Sequence, residues 1–304
     1  MLDSTLGWIL FPLGTALGWY LARQKPGTHA PRPAHTPLAG ISTLANDDPD
    51  QAVAALLGAE ELTEEAVELP LTLVNLFRRR GQVDRALRVH EALLSRGSLS
   101  AQQRNRAEFE LAEDYLKAGV LDRAEQIYAS LADRGYKLLA CLEAVVSIHE
   151  SSHDWPRAID TSRRLEAASG VSRRAITAQY QCELAEDARR AKNPEEAANL
   201  ARRALSTDAG CARGSLLIAR LAQDRQDWSE ATTAYARTAE QEPRLLPEIV
   251  RPLWVCCRDW GRPEYFVHWL EDLPEEQRVG VTEVVRAELL RETGMDPSEY
   301  LLNA

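Results

Sequence analysis

An alanine returns along this chain at nearly constant spacing. It stands at Ala52, Ala86, Ala124, Ala158, Ala197 and Ala231, separated by 34, 38, 34, 39 and 34 residues. A period of about 34 residues is that of the tetratricopeptide unit, a helix–turn–helix with a small residue where its helices cross. The repeat narrows the fold severely. One such unit cannot bury its apolar face alone, so successive units must stack. The two longer intervals imply short insertions between units.

Leu111 to Leu131, LAEDYLKAGVLDRAEQIYASL, shows the unit most plainly. Leu111, Ala112 and Tyr115 line one face of a first helix, and Ala124, Tyr128 and Leu131 line one face of a second. Gly119 falls at the turn, where a left-handed backbone is needed. First helices repeat as well, through Leu73/Phe77, Leu111/Tyr115, Val145/His149, Leu184/Ala188 and Leu217/Leu221, with Ala112, Ala185 and Ala219 where the helices cross. A degenerate seventh unit spans Leu253 to Leu270, with Gly261 at its turn and Phe266 in place of the alanine. A partial eighth runs from Val279, its second helix, from Pro297, cut short at Ala304. Alanine, leucine, arginine and glutamate dominate, all good helix formers, and strand-type runs are scarce. The expected fold is all-α: a tetratricopeptide α-solenoid over residues 38–304, preceded by a transmembrane helix.

That helix is read from residues 1–23. Leu6 to Ala22 carries no charge, and with the residues before it the stretch reaches about 30 Å as a helix, enough to cross a bilayer. Trp8 lies near one end, and Trp19 and Tyr20 near the other, as interfacial aromatics do. Asp3 precedes the span and Arg23, Lys25 and Arg32 follow it, the reverse of a cleaved signal peptide. The positive-inside rule places the N-terminus outside and the long body in the cytoplasm, a single-pass protein of the inner membrane. Alternatives are a buried core helix or a signal peptide. Gly14 and Gly18 form a GxxxG that would let another membrane helix approach closely, from a partner or from a second copy in a homo-oligomer. Against this, glycine is simply common in membrane helices. Residues 24–37, QKPGTHAPRPAHTP, are a proline-rich linker.

Chemistry is hard to place in what remains. His149-Glu150-Ser151-Ser152-His153 matches the HExxH zinc motif, but the repeat register gives His149 the inward position of Phe77 and Tyr115, and His153 the turn position of Gly81 and Gly119. No nucleophile elbow or phosphate-binding loop is present, and the repeats consume nearly all of the soluble chain, so no enzyme is expected. The five cysteines, Cys141, Cys182, Cys211, Cys256 and Cys257, include no CxxC pair and suggest neither a disulfide framework nor a zinc ribbon; the helical positions of Cys141, Cys182 and Cys211 suit small buried residues. A net charge of −10 argues against nucleic acid as a partner. What is left is surface. Outward positions of the first helices include Asn75, Arg78, Arg79, Arg106, Glu113, Lys117, Arg189, Arg190, Arg213 and Arg220. On the concave side of a solenoid they would form a basic groove for an acidic segment of a partner protein; the alternative is ordinary solvated charge.

Several stretches resemble the lipopolysaccharide assembly protein B family. They are Gly18-Trp19-Tyr20, the run Asn75-Leu76-Phe77-Arg78-Arg79-Arg80-Gly81-Gln82-Val83-Asp84-Arg85-Ala86, Asp114-Tyr115, Ala118-Gly119, Asp122-Arg123-Ala124-Glu125 and Cys182-Glu183-Leu184-Ala185. The resemblance covers essentially the whole chain. It implies a bitopic inner-membrane protein with a cytoplasmic repeat domain, which regulates lipopolysaccharide synthesis by helping a membrane AAA protease degrade the lipid A deacetylase. It also implies contact with other lipopolysaccharide biosynthesis enzymes. Without the proteolytic role, the same chain would be a membrane-tethered scaffold for envelope biogenesis. Relatives end in a rubredoxin-like module with two pairs of cysteine ligands for a metal. This chain is expected to lack it, and with it any cofactor, because Cys256 and Cys257 are adjacent and lie in the seventh repeat.

Overall fold

The computed structural model describes residues 73–95, 99–278 and 281. The expected anchor at 1–23 with Gly14 and Gly18, the linker at 24–37, the repeat carrying Ala52 and the chain beyond residue 281 lie outside the described residues. Among the described residues all regular structure is helical. No described helix is long and apolar enough to cross a membrane. The chain divides into two compact units, Met1–Gly119 and Val120–Ala304.

In the first unit, residues 73–79 are helical and are followed by α1 (Val83–Leu94) and α2 (Ala101–Lys117). Leu73, Val74 and Phe77 are buried, as are Val89 and Leu93 of α1 and Ala107, Leu111 and Ala112 of α2. Ser100 opens α2 with a capping box: its hydroxyl accepts from the Gln103 N–H at 3.3 Å, and the Gln103 side chain accepts from the Ser100 N–H at 2.9 Å. Two N–H groups that a helix start would leave orphaned are satisfied this way.

The second unit runs α3 (Leu121–Asp133), α4 (Leu138–Ser151), α5 (Trp155–Ser169), α6 (Arg174–Arg190), α7 (Pro194–Thr207), α8 (Ala212–Asp224) and α9 (Trp228–Gln241). A short 3₁₀ turn at Pro243–Leu245 leads to α10 (Leu246–Asp259) and α11 (Pro263–Asp272). Each helix packs on its sequence neighbours, and α6 also packs on α8, first helix on next first helix. That pattern is the stacking the 34-residue period requires.

The recurring alanine is where the period said it would be. Ala86, Ala124, Ala158, Ala197 and Ala231 are each 0% exposed, which leaves no room for a larger side chain. At the degenerate repeat Phe266 is 1% exposed, and it packs edge-on to Trp254 with ring centres 5.4 Å apart. There a larger ring fills the space that close backbone approach removes elsewhere.

Turns within the repeats come in two forms. Gly81, Gly119 and Gly261 take φ of 72°, 75° and 72°, and His153, Lys192 and Gln226 hold the same place at 56°, 59° and 61°. After the turn the chain closes back on the first helix: the N–H groups of Gln82, Asp154, Asn193 and Asp227 each reach the carbonyl five residues back at 2.9 Å, and that of Arg262 does so at 3.0 Å. This is the Schellman closure. In the glycine turns the following residue, Gln82, Val120 or Arg262, gives no side-chain cap. In the others Asp154, Asn193 and Asp227 cap the second helix, accepting from Arg157, Glu196 and Glu230 N–H. A left-handed non-glycine residue costs about 1 kcal/mol or more. An Asp or Asn cap contributes about 1 kcal/mol, so the cap offsets the strain.

Candidate functional site

The first unit holds a buried ionic cluster. Asp114 of α2 and His90 of α1 are both 0% exposed. His90 Nδ1 donates to Asp114 Oδ2 at 2.8 Å, since the carboxylate can only accept. Arg78 Nε donates to Asp114 Oδ1 at 2.5 Å, its Nη1 reaches Glu113 at 3.0 Å, and its Nη2 reaches the Glu110 carbonyl at 3.2 Å. Burial draws the Arg78 pKa down, but the hydrogen bond to Asp114 and the charges of Asp114, Glu113 and Glu110 outweigh it and hold it above the ordinary value. The cluster ties the 73–79 helix to α2, with His90 of α1 bonded to the same carboxylate.

This placement corrects the reading of Arg78 as an outward residue. Its side chain is only 11% exposed. Helical phase set it beside Asn75, but the guanidinium turns inward to a carboxylate that lies 36 positions along the chain. Glu113 is occupied by it and is 37% exposed at the side chain. Asn75 is exposed and accepts from Arg78 Nη1 at 3.2 Å. Arg106 lies 3.6 Å from Glu110. Arg79 and Lys117 are exposed, with no ion-pair partner among the described residues.

In the second unit the expected basic positions are largely answered by neighbouring acids. Arg189 pairs with Glu186 at 2.8 Å, Arg190 with Asp187, and Arg213 with Glu183 at 2.6 Å across α6 and α8. Arg189 and Arg190 occupy the last turn of α6, where the helix dipole favours cations. Arg220 is exposed with no ion-pair partner among the described residues. Exposed pairs of this kind contribute about 0–1 kcal/mol, so an incoming carboxylate can replace the resident one at little cost.

The HExxH residues are not brought together as zinc ligands. α4 ends at Ser151; His149 is buried, while His153 is exposed in the left-handed turn. His149 Nε2 lies 3.2 Å from Glu125, without hydrogen-bond alignment, and Glu125 is held by Arg157 at 2.8 Å. The pocket around His149 is thus shaped by an ion pair of α3 and α5. Among the described residues no three His, Cys, Asp or Glu side chains converge as metal ligands. All five cysteines are buried and none forms a disulfide.

One feature had no signal in the sequence. A cleft of about 590 Å³ opens between α7, α8 and α9, with Leu205, Ile218, Ala234, Arg202, Arg237 and Glu230 among its lining. Arg202 and Arg225 both hold Glu230, at 2.9 and 2.7 Å. Three separate helices contribute to the cleft, so no local spacing announces it.

No family model matches the chain. It is 30% identical over 286 residues to lipopolysaccharide assembly protein B of Escherichia coli strain K12, covering 93% of this chain and 74% of that protein. To the protein of the same name from Haemophilus influenzae it is 29% identical over 273 residues, covering 85% and 68%. Solved structures similar to it include the C-terminal part of a TPR repeat-containing protein from Cytophaga hutchinsonii, at 15% identity, 82% and 94% coverage and a TM-score of 0.39. A tetratricopeptide repeat protein from Parabacteroides merdae matches at 14% identity, 74% and 88% coverage and a TM-score of 0.37. With the register of its repeats and an identity that spans nearly its whole length, the chain belongs to the lipopolysaccharide assembly protein B family.

Proposed function

We propose that this chain is a membrane-tethered adaptor that regulates lipopolysaccharide biosynthesis, and that it does so by presenting the lipid A deacetylase to a membrane AAA protease. The observation that carries this reading is the 30% identity to lipopolysaccharide assembly protein B across 93% of the chain. The uncharged span Leu6–Ala22, with positive charge after it, supports a single pass through the inner membrane with the repeats in the cytoplasm. The anchor would raise the local concentration of membrane-bound partners, so modest contacts along helix faces suffice for capture. Arg79 and Lys117 in the first unit and Arg220 in the second are the exposed cations we assign to partner contact. The role needs no cofactor and no catalytic group.

Depletion of the chain, followed by a pulse-chase of the deacetylase, tests the reading. Depletion should lengthen that lifetime severalfold, because the protease then meets the deacetylase without its adaptor. An unchanged lifetime with disturbed lipopolysaccharide output leaves a tethered scaffold without a proteolytic role.

A further inference from the structure

Cys182 and Cys211 face each other in the second unit, Sγ to Sγ, at 3.6 Å. Cys182 lies on α6, and Cys211 is the residue immediately before α8, so the pair joins the first helices of two consecutive repeats. Both are buried, at 0% and 2% exposure. No other cysteine is placed in this way. Cys141 donates its thiol to the Tyr136 carbonyl at 3.3 Å, and Cys256 and Cys257 are consecutive residues of one helix.

The two thiols are not equivalent. Cys211 stands at the N-terminus of α8, where the first N–H groups of the helix favour negative charge. Gln179 Nε2 also donates to its sulfur, at 3.7 Å. The Gln179 N–H favours a thiolate on Cys211. Accordingly the Cys211 pKa is drawn below the ordinary thiol value, foremost by the hydrogen bond with Cys182, which outweighs the opposing effect of burial. The same bond, with burial, pushes Cys182 up. A low-pKa thiolate beside a protonated thiol is the division between an attacking and a resolving cysteine.

We propose that Cys182 and Cys211 are a reversible oxidation site, closed to a disulfide by hydrogen peroxide. The Cys211 thiolate attacks one peroxide oxygen, the O–O bond breaks, and hydroxide leaves, giving a sulfenic acid on Cys211. That hydroxide takes the Cys182 proton and becomes water. The Cys182 sulfur then attacks the sulfenic sulfur; the S–S bond forms and the S–O bond breaks. The departing hydroxide takes up the proton that Cys211 first released. Two thiols lose two electrons, and the peroxide ends as two waters. The sulfurs close from 3.6 Å to about 2.05 Å. The connection over Cys211, with Ala209 and Gly210 exposed, admits peroxide by local opening. The Arg213–Glu183 pair is built from residues next to this site, so the bond would pin α6 to α8 beneath the outward face carrying Arg213.

The full chain, reduced and then exposed to a small excess of hydrogen peroxide, is blocked with N-ethylmaleimide and digested with trypsin. The expected product is a linked pair of peptides carrying Cys182 and Cys211, released by dithiothreitol. In Cys182→Ala the resolving thiol is gone, and dimedone should trap the sulfenic acid on Cys211. Without mutation, phenylarsine oxide, which bridges two close thiols, should protect this pair from maleimide. Recovery of all five cysteines unlinked after peroxide overturns the proposal, as does a bond that forms only between Cys256 and Cys257. If Cys182→Ala fails to fold, the unmutated chain still decides through the linked peptide and the arsenical.

Discussion

Replacing Asp114 with alanine should loosen the first unit by about 3 kcal/mol. The reasoning starts from a carboxylate that is 0% exposed and accepts from Arg78 at 2.5 Å and His90 at 2.8 Å. Breaking a buried ion pair from one side costs about 3–5 kcal/mol, because the other charge stays behind. Arg78 keeps Glu113 at 3.0 Å and the Glu110 carbonyl at 3.2 Å, which moves the figure to the low end. His90 adds a buried N–H without its acceptor, a cost of about 1–3 kcal/mol that the relaxed side chain recovers in part. Asp114→Asn keeps an oxygen for Arg78 and should cost about half as much. The assay is amide hydrogen exchange by mass spectrometry across α1 and α2. A loss of about 3 kcal/mol speeds exchange from the opened state on the order of a hundredfold. Exchange in Asp114→Ala within about threefold of wild type, under 1 kcal/mol, would refute the reasoning: Arg78 and His90 would then be satisfied by water or by their remaining partners.

Other expectations follow from the same geometry. Lys192→Gly and Gln226→Gly each relieve a left-handed φ and should raise stability by about 0.5–1 kcal/mol in urea denaturation, while Gly81→Ala should lower it by about 1 kcal/mol. Ala158→Leu and Ala197→Leu force a larger side chain into a crossing with 0% exposure and should each cost about 1–3 kcal/mol by the same measurement. The Asp154 carboxylate is held below its ordinary pKa, foremost by its hydrogen bond with Arg157. Its folded pKa is depressed, so its contribution is present above the ordinary Asp value and lost as pH falls. The stability deficit of Asp154→Ala should therefore shrink as pH is lowered through the carboxylate range, checked by thermal melts at stepped pH. Alkylation of Cys211 by iodoacetamide should rise with pH earlier than for a free thiol, because the reactive thiolate forms at lower pH.

The fold was legible wherever packing sets a size limit. A helix crossing admits only a small residue, so Ala86, Ala124, Ala158, Ala197 and Ala231 carry the register on their own. Glycine marks three of the turns, but His153, Lys192 and Gln226 hide the other three. Their signature is displaced by one residue, to the Asp or Asn that caps the next helix. Once the register was known, it sent His149 to the core and His153 to a turn, as the structure has them. The ionic cluster was not legible. Asp114 meets His90 and Arg78 across 24 and 36 positions, and one polar residue on a helix face carries no sign of whether it points at solvent or at a distant partner. The Cys182–Cys211 pair and the cleft between α7, α8 and α9 were hidden for the same reason: each is made by tertiary packing of separate helices.

Reconstituted proteolysis tests the adaptor reading most directly. The full chain, the membrane AAA protease and the lipid A deacetylase are combined in vesicles, and the deacetylase is followed over time. The account predicts that the chain raises the rate of degradation severalfold, and that Arg79→Glu with Lys117→Glu removes most of that effect while leaving the helical content intact. A degradation rate that is the same with and without the chain would contradict it.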